Sequence, residues 1–263
     1  MIQEKTAESW EELQKLLFEE SWNPLLGRFR SPSAFRGLNN SDYKLESTFI
    51  RLRQDKPKLE NHLLRNFKKY SQNNIVERDS LWYWLAIAQH HGLPTRLLDW
   101  SYSPFVAMHF ATSHIGDFGK DGAIWSIDFE RAHQLLPPKL KDALYREGAN
   151  MFTAEILSSC LDSLEDFDGM SDSPLLLMFE PPSMNSQRIT NQYATFSMMS
   201  NPLLGMETWI DKYPDLCKKI IIPRTLKWEI RDKLDQANIT ERLLFPGMDG
   251  LALWLKRHYS SAK

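Results

Sequence analysis

The sequence predicts a single mixed domain of the α+β class with several inserted helices. Short segments rich in β-branched and aromatic residues alternate along the chain with amphipathic, helix-like segments. No low-complexity linker or internal repeat divides the 263 residues. Hydrophobic residues make up 42% and charged residues 25% of the chain, which is ordinary for a globular protein with a substantial core. This pattern is typical of strands and helices that share one core.

Each predicted element follows from local pattern and capping chemistry. Strands are predicted over residues 33–38, 95–100, 122–128, 175–180, 187–199 and 218–223. Helices are predicted over residues 7–21, 57–72, 79–90, 105–113, 225–237 and 249–258. Ser9 and Ser103 are expected N-caps, and Ser103-Pro104 combines a cap with a proline in the first turn. Residues 129–170 are predicted to be mostly helical, with the acidic stretch 162–172 as a surface loop or lid.

Charge and cysteine content limit the environment and the partners. The net charge of −2 provides no overall field toward nucleic acid or acidic lipid. Cys160 and Cys217 lie far apart without ligand-like spacing, which favours small core residues in a reduced protein. The first residues lack the basic start and apolar run of a secretory signal, so none is expected, and no window reaches the roughly 18–20 apolar residues of a membrane helix. We therefore predict a cytoplasmic protein with no membrane contact.

Residues 88–111 hold the densest group of candidate functional side chains. Two adjacent histidines, an arginine, an aspartate, a tryptophan and a Ser-x-Ser element fall near a predicted strand-to-helix junction. Polar groups in an apolar frame are unfavourable unless they bind each other or a ligand. The candidates in this segment are His90, His91, Thr95, Arg96, Asp99, Trp100, Ser101 and Ser103.

Two features of this segment admit structural interpretations as well. His90-His91-Gly92 fits the end of a helix, where the dipole favours histidine and glycine is a common stop. Adjacent histidines point in different directions and no further ligand follows at metal-binding spacing, so no metal site is predicted. Arg96 and Asp99 fall on opposite faces of the predicted strand, so each needs its own partner. For Arg96, a carboxylate elsewhere in the chain remains an open alternative to a ligand.

Phe35-Arg36-Gly37 ends an early predicted strand and is the second candidate motif. A guanidinium captures phosphate or carboxylate in bidentate fashion, and glycine allows a ligand to approach the backbone. A surface arginine before a turn is the plainer alternative. The chain contains no glycine-rich phosphate loop, no metalloprotease helix motif and no serine elbow. These absences count against a P-loop nucleotidase, a zinc hydrolase and an α/β-hydrolase.

Taken together, the motifs resemble those of the FRG-domain family. The resemblance rests on residues 35–37, residues 90–107, Arg188 with Gln192 and Phe196, and residues 244–252. It implies an N-terminal helical segment over residues 1–29, an FRG domain over residues 30–258 and a tail over residues 259–263. The family name by itself implies little about chemistry.

A looser resemblance connects the chain with ADP-ribosyltransferases of the arginine–serine–glutamate type. Arg36 matches their early-strand arginine, and Ser101 with Ser103 matches their Ser-x-Ser element. This resemblance implies a central split sheet, NAD as the substrate, and Trp100 or Tyr102 stacked on nicotinamide. The NAD-binding residues that it implies are Phe35, Arg36, Gly37, His90, Thr95, Arg96, Trp100, Ser101 and Ser103.

The glutamate of the arginine–serine–glutamate pattern has no counterpart at the matching position of this chain. Gln192 stands where those transferases carry a glutamate, and an amide can bind a ribose hydroxyl but cannot act as a base. The catalytic candidates are therefore His91, Asp99 and Gln192, with Glu180 and Glu207 as flanking carboxylates.

The sequence thus predicts an NAD-dependent, ADP-ribosyltransferase-like effector of the toxin or anti-phage defence type. Its expected partners are NAD, a protein or nucleic-acid acceptor, and an antitoxin or regulator. Two alternatives stay open. The missing glutamate favours a non-catalytic module that binds a nucleotide or nucleic acid, and the paired histidines allow a histidine-dependent nuclease.

Overall fold

A computed structural model describes residues 2–52, 58–71, 79–182 and 186–261 of the chain. In these ranges the strands are β1 (Gln3–Thr6), β2 (Trp22–Asn23), β3 (Arg28–Phe29), β4 (Ser33–Leu38), β5 (Leu98–Ser101), β6 (Gly122–Asp128), β7 (Leu176–Phe179), β8 (Ala194–Met199) and β9 (Cys217–Ile222). The helices are α1 (Trp10–Phe18), α2 (Thr48–Arg51), α3 (Leu59–Tyr70), α4 (Leu81–His90), α5 (Pro104–Ala111), α6 (Phe129–Gln134), α7 (Pro138–Glu147), α8 (Ala154–Cys160), α9 (Leu164–Asp168), α10 (Gln187–Gln192), α11 (Glu207–Ile210), α12 (Lys227–Gln236), α13 (Glu241–Leu244) and α14 (Met248–His258). Within the described ranges, no helix combines the length and the apolar character that crossing a bilayer requires.

Seven of the described strands form one mixed sheet, in the order β1-β9-β6-β4-β5-β8-β7. Strands β1 and β9 are parallel, and the other neighbours are antiparallel. Strands β2 and β3 form a separate hairpin. Helices are inserted between the strands throughout, which confirms the predicted α+β class.

The helices cover the two faces of the sheet unequally. Strand β7 shows the alternation, because Leu176 and Met178 face one core while Leu177 and Phe179 face the other. On the first face the core is closed by α6 and α11. On the second face, α1, α5 and α12 cover the half that contains β9, β6 and β4, whereas α3, α4, α7, α8 and α9 cover the half that contains β8 and β7. The junction of β4 and β5 lies between these two groups.

Strands β4 and β5 have fewer paired residues than any other neighbouring strands described in the sheet. Strand β4 pairs with β6 along its whole length, but it pairs with β5 at a single position, Phe35 opposite Ser101. The strands separate beyond that pair, so the sheet opens near its centre. This opening agrees with the expected central split sheet, and it is the place where the two candidate motifs meet.

The predicted strand over residues 187–199 is wrong in its first half. Residues 187–192 form helix α10, and only Ala194–Met199 are a strand. Tyr193 separates them with a left-handed backbone angle, φ 47°. The first half is polar and its side chains are not buried, so it has no alternating apolar face to place in the sheet. The structure also adds β1, an edge strand of mostly exposed polar residues for which the sequence offers no hydrophobic signal.

The predicted loop or lid over residues 162–172 is wrong for Leu164–Asp168. These residues form α9, whose N-terminus carries a capping box made by Ser163 and Asp166. Phe167 is fully buried, and Asp168 forms an ion pair with Arg96. Both an apolar and an acidic side chain of this segment therefore hold it against the core.

A buried histidine beneath β7 makes the fold sensitive to acid. The Nδ1 atom of His133 lies 2.9 Å from the carbonyl oxygen of Asn150, and the Met178 amide donates to Nε2 at 3.1 Å. The two partners fix the neutral tautomer with hydrogen on Nδ1. Burial lowers the pKa of His133 from 6.5 to about 4.

We expect the free energy of unfolding to decrease as the pH falls from 6.5 to about 4. Over this range the unfolded chain takes up a proton at His133 and the folded chain does not, which corresponds to about 1.4 kcal/mol per pH unit. Urea denaturation of the wild type and of His133→Gln as a function of pH measures this contribution. The variant should show a shallower acid slope, and an unchanged slope would contradict the assignment.

Candidate functional site

A pocket of about 170 Å³ opens at the β4–β5 junction. Strands β4 and β5 form one side, α5 forms another, and α10 with the start of β8 closes the third. The lining residues are Phe35, Arg36, Gly37, Asp99, Trp100, Ser101, Val106, Phe110, Arg188, Gln192 and Ala194. The two sequence motifs, which lie about sixty residues apart along the chain, therefore share one concave site.

Arg36 bridges the opening between the two strands. Its Nη1 donates a hydrogen bond to the backbone carbonyl oxygen of Asp99, while its Nε is buried and has no hydrogen-bond partner among the described residues. Burial lowers the pKa of the guanidinium, against the opposing effect of the Asp99 carboxylate, and an arginine still remains protonated. A half-buried cation whose buried Nε donor is unused among the described residues favours an anionic ligand.

Gly37 is required by the packing of α5 rather than by a ligand. A Cβ at this position would lie 1.9 Å from the carbonyl oxygen of Ala107 and 2.6 Å from the amide nitrogen of Ala111. The backbone of α5 therefore rests directly on β4, which only glycine permits. Phe35 faces the same helix and is buried beside Ala107. Both residues line the pocket, but the glycine has a structural cause that the sequence interpretation missed.

Asp99 is the only carboxylate among the described residues that line the pocket. It is exposed, and its Oδ2 accepts a hydrogen bond from Nε2 of Gln89 at 3.0 Å. The Oε1 of Gln89 in turn accepts from the Thr95 hydroxyl at 2.6 Å. This relay, which starts at the last turn of α4, orients the carboxylate before any ligand binds.

Ser101 and Gln192 are held in place by hydrogen bonds and form a second polar part of the pocket lining. The Ser101 hydroxyl donates to the Gln192 carbonyl oxygen at 2.7 Å and accepts from the Ser103 amide at 3.0 Å. The side-chain amide of Gln192 donates to the carbonyl oxygen of Leu244 at 3.0 Å. Ser103 caps α5 as expected. These bonds connect β5, α10 and α13 around the pocket.

The aromatic rings expected to stack on a ligand point away from this pocket. Trp100 lines it through its backbone, but the indole is buried on the opposite face of the sheet, where Nε1 donates to the Ser197 hydroxyl at 2.8 Å. Tyr102 lies on the same face as Trp100, and its hydroxyl donates to Glu180 at 2.9 Å. Glu180 is therefore engaged outside the pocket.

Arg96 and Thr95 also lie outside the pocket. The Nε of Arg96 donates to Glu60 at 2.7 Å, and both terminal nitrogens donate to Asp168. This confirms the expectation that Arg96 and Asp99 have separate partners, and the partners of Arg96 are carboxylates of the protein itself. Thr95 is buried and supports Gln89.

The two histidines have different surroundings. His91 follows α4, is exposed, packs beside Phe67 and lies outside the pocket. The Nε2 of His90 lies 3.3 Å from the Ser186 hydroxyl, and burial together with the nearby Arg188 lowers the pKa of His90. In the part of the chain that the structure describes, no three His, Cys, Asp or Glu side chains are grouped to hold a metal ion.

Arg188 is a pocket residue to which the sequence analysis assigned no role. It lies at the exposed mouth, one helical turn before Gln192, with its guanidinium carbon 5.0 Å from the centre of the Phe245 ring. Residues at positions i and i+4 share a helix face, so this pair indicates a lining surface once the segment is known to be helical. Positions i and i+4 also share one face of a strand, so this spacing alone does not assign Arg188 to a pocket; that assignment depends on where α10 packs. Glu207, in contrast, lies outside the pocket and accepts a hydrogen bond from the Leu45 amide.

Comparison with known proteins identifies the region that builds most of this pocket. Residues 31–119 match the family model of the FRG domain. The chain therefore contains an FRG domain. The match extends from β4 to just beyond α5 and includes Arg36, Asp99 and Ser101, whereas α10 lies outside it. None of the curated proteins and none of the solved structures matches the chain.

Proposed function

We propose that the FRG domain binds NAD as a substrate and transfers its ADP-ribose unit to a protein or nucleic acid, as a toxin or anti-phage effector does. The observation that carries this proposal is the placement of Arg36, Asp99, Ser101 and Gln192 around one pocket. A cation, an oriented carboxylate and two fixed polar groups are what the recognition of a phosphorylated ribose requires.

The pocket suits one end of a dinucleotide. Its volume of about 170 Å³ is smaller than the roughly 300–1,000 Å³ of most small-molecule sites. A ribose with its base would enter, and the rest of NAD would extend across the mouth. Arg36 supplies its unused Nε donor to the diphosphate, while Ser101 and Gln192 form the wall beside the ribose.

Asp99 is the residue that we assign to the chemistry. The bond between the nicotinamide nitrogen and C1′ of the ribose breaks, and its electron pair leaves with nicotinamide. C1′ becomes electron-poor, and the negative charge of Asp99 stabilises it. A nucleophilic oxygen or nitrogen of the acceptor then bonds to C1′, and its proton passes to the Asp99 carboxylate. Gln89 and Thr95 hold that carboxylate in position.

We expect Asp99→Asn to lower the rate of nicotinamide release by about 100-fold or more, because an amide neither accepts the proton nor stabilises positive charge. The affinity for NAD should change little. Nicotinamide release followed by chromatography and NAD binding followed by calorimetry measure the two quantities. Asp232→Asn, on the exposed face of α12, is the matched control and should behave as the wild type. Equal rates in Asp99→Asn and the wild type would contradict the assignment.

A non-catalytic nucleotide-binding module is the second candidate, and Gln192 favours it. Among the described residues that line the pocket there is no glutamate, and the Gln192 amide is used to hold α13. Under this alternative the wild type binds NAD without releasing nicotinamide, and Asp99→Asn changes nothing. Cleavage of nucleic acid without NAD would instead favour the histidine-dependent nuclease.

A further inference from the structure

The guanidinium of Arg188 lies at the mouth of the pocket, and its N–H donors have no partner among the described residues. Its side chain is exposed and lies over the Phe245 ring, and it forms no ion pair or hydrogen bond within the described part of the chain. Stacking occupies the flat face of a guanidinium and leaves its N–H edge free. The ring therefore restricts the orientation of Arg188 without using its donors, which is favourable for binding a phosphate in bidentate fashion.

The charges of the pocket are unbalanced toward the positive. Arg36 and Arg188 enter it from different walls, one from β4 and the other from α10, and Asp99 is the only acidic residue among the described lining residues. Arg36 also keeps a buried Nε without a partner. Two guanidinium groups facing one carboxylate leave a positive excess that an anion would neutralise.

We propose that Arg36 and Arg188 form a two-arginine clamp that grips a diphosphate from both sides and selects diphosphate-bearing ligands over unphosphorylated nucleosides. Arg36 binds from the inner end, and Arg188 binds at the mouth, where the small pocket leaves the rest of the ligand outside. The identification of the ligand as NAD rests on the proposed function, whereas the diphosphate chemistry follows from the two arginines. Arg188 is thus a specificity residue that lies outside the matched FRG segment.

Calorimetry with ADP, inorganic pyrophosphate and adenosine tests the clamp directly. In Arg188→Gln, the affinity for ADP and for pyrophosphate should fall about tenfold, which corresponds to about 1.4 kcal/mol. The affinity for adenosine should stay the same. The ADP affinity of Arg188→Lys should lie between those of Arg188→Gln and the wild type, because lysine keeps the positive charge but lacks the two parallel N–H donors of a guanidinium. Folding should be unaffected, since Arg188 is exposed and packs only on a ring surface.

Arg242 provides a matched control. It is likewise exposed, and its guanidinium lies 4.8 Å from the centre of the Trp254 ring, but it does not line the pocket. Arg242→Gln should therefore bind ADP as the wild type does. The clamp is overturned if Arg188→Gln binds ADP as tightly as the wild type, if Arg242→Gln weakens ADP equally, or if the wild type prefers adenosine to ADP.

His90 offers a readout that a purely structural role for Arg188 would not give. Burial lowers the pKa of His90, Arg188 and His91 lower it further, and Asp99 opposes them. Phosphate bound at Arg188 adds negative charge beside His90, so ADP should raise the pKa of His90 in the wild type, as followed by NMR of the ring. In Arg188→Gln this change should be smaller, and an undiminished change would place the phosphate elsewhere.

Measuring nicotinamide release from NAD beside ADP binding distinguishes a failure of the clamp from a failure of the proposed function. ADP binding that depends on Arg188, with no release of nicotinamide from NAD, supports the clamp and rejects the transferase. Release of nicotinamide with an unchanged KM in Arg188→Gln supports the transferase and rejects the clamp. A wild type that binds none of ADP, pyrophosphate and NAD rejects both.

Discussion

Gly37→Ala is expected to destabilise the domain by at least about 3 kcal/mol, a cost typical of severe overpacking. The added methyl group would meet the backbone of α5, with the Ala107 carbonyl oxygen at 1.9 Å and the Ala111 amide nitrogen at 2.6 Å. A flexible side chain can move aside, but a helix backbone cannot move without shifting the whole element. Helix α5 carries Val106 and Phe110 of the pocket, so its displacement would also disturb the site.

Thermal or urea denaturation of Gly37→Ala beside Gly119→Ala measures this cost. A Cβ at Gly119 would have no atom within 4 Å, so the control should remain close to the wild type in stability. The variant at position 37 should unfold at much lower denaturant concentration or fail to accumulate as a folded protein. Equal stability of the two variants would show that β4 and α5 are not in direct backbone contact.

This result would divide the three-residue motif into two roles. Arg36 serves the pocket through an unused buried donor, and Gly37 serves the helix that covers the same strand. A motif of three consecutive residues can therefore combine a binding residue with a packing residue. The two roles are separable by experiment, since loss of Arg36 should impair binding of an anion and loss of Gly37 should impair folding.

The elements that the sequence predicted well have strong local signals. Helix α5 follows Ser103-Pro104, a cap with a proline in the first turn, and α1 follows a capping Ser9. Strand β6 is an apolar run that lies buried in the sheet. In contrast, β1 is polar and exposed, and it is held by backbone hydrogen bonds to β9 rather than by a hydrophobic pattern. Edge strands of this kind carry almost no local signal.

The site was predictable where its residues lie in contiguous motifs, and not where it depends on tertiary packing. Arg36, Asp99 and Ser101 were all proposed from the sequence, and they line one pocket. Trp100 and Arg96 occur in the same motif but face the core or an ion pair, which the sequence could not decide without the neighbouring elements. The role of Arg188 depends on the packing of α10 beside the β4–β5 junction, which no local sequence pattern indicates.

A buried ion cluster at Arg96 should dominate the stability of the half of the domain that contains β7 and β8. The side chain of Arg96 is 3% exposed, that of Glu60 is 2% exposed and that of Asp168 is 28% exposed. We expect Arg96→Met to lower the free energy of unfolding by about 3–5 kcal/mol, because it leaves two carboxylates without a counter-charge. Arg242→Met, at an exposed position, should cost no more than about 0.5 kcal/mol.

The pH dependence distinguishes lost charge pairing from lost packing. Burial raises the pKa of both Glu60 and Asp168, and Arg96 opposes that increase. Without Arg96 the pKa values rise further, so the folded variant binds more protons than its unfolded chain, and its stability increases as the pH falls toward the ordinary values of 4.5 and 3.8. The deficit of Arg96→Met relative to the wild type should therefore shrink in mildly acidic urea titrations. Adding Glu60→Gln to Arg96→Met should recover part of the lost unfolding free energy at neutral pH, because it removes one of the uncompensated charges. If the loss of unfolding free energy is the same at neutral and at mildly acidic pH, and is unchanged in the double variant, then packing rather than charge pairing is lost at this site.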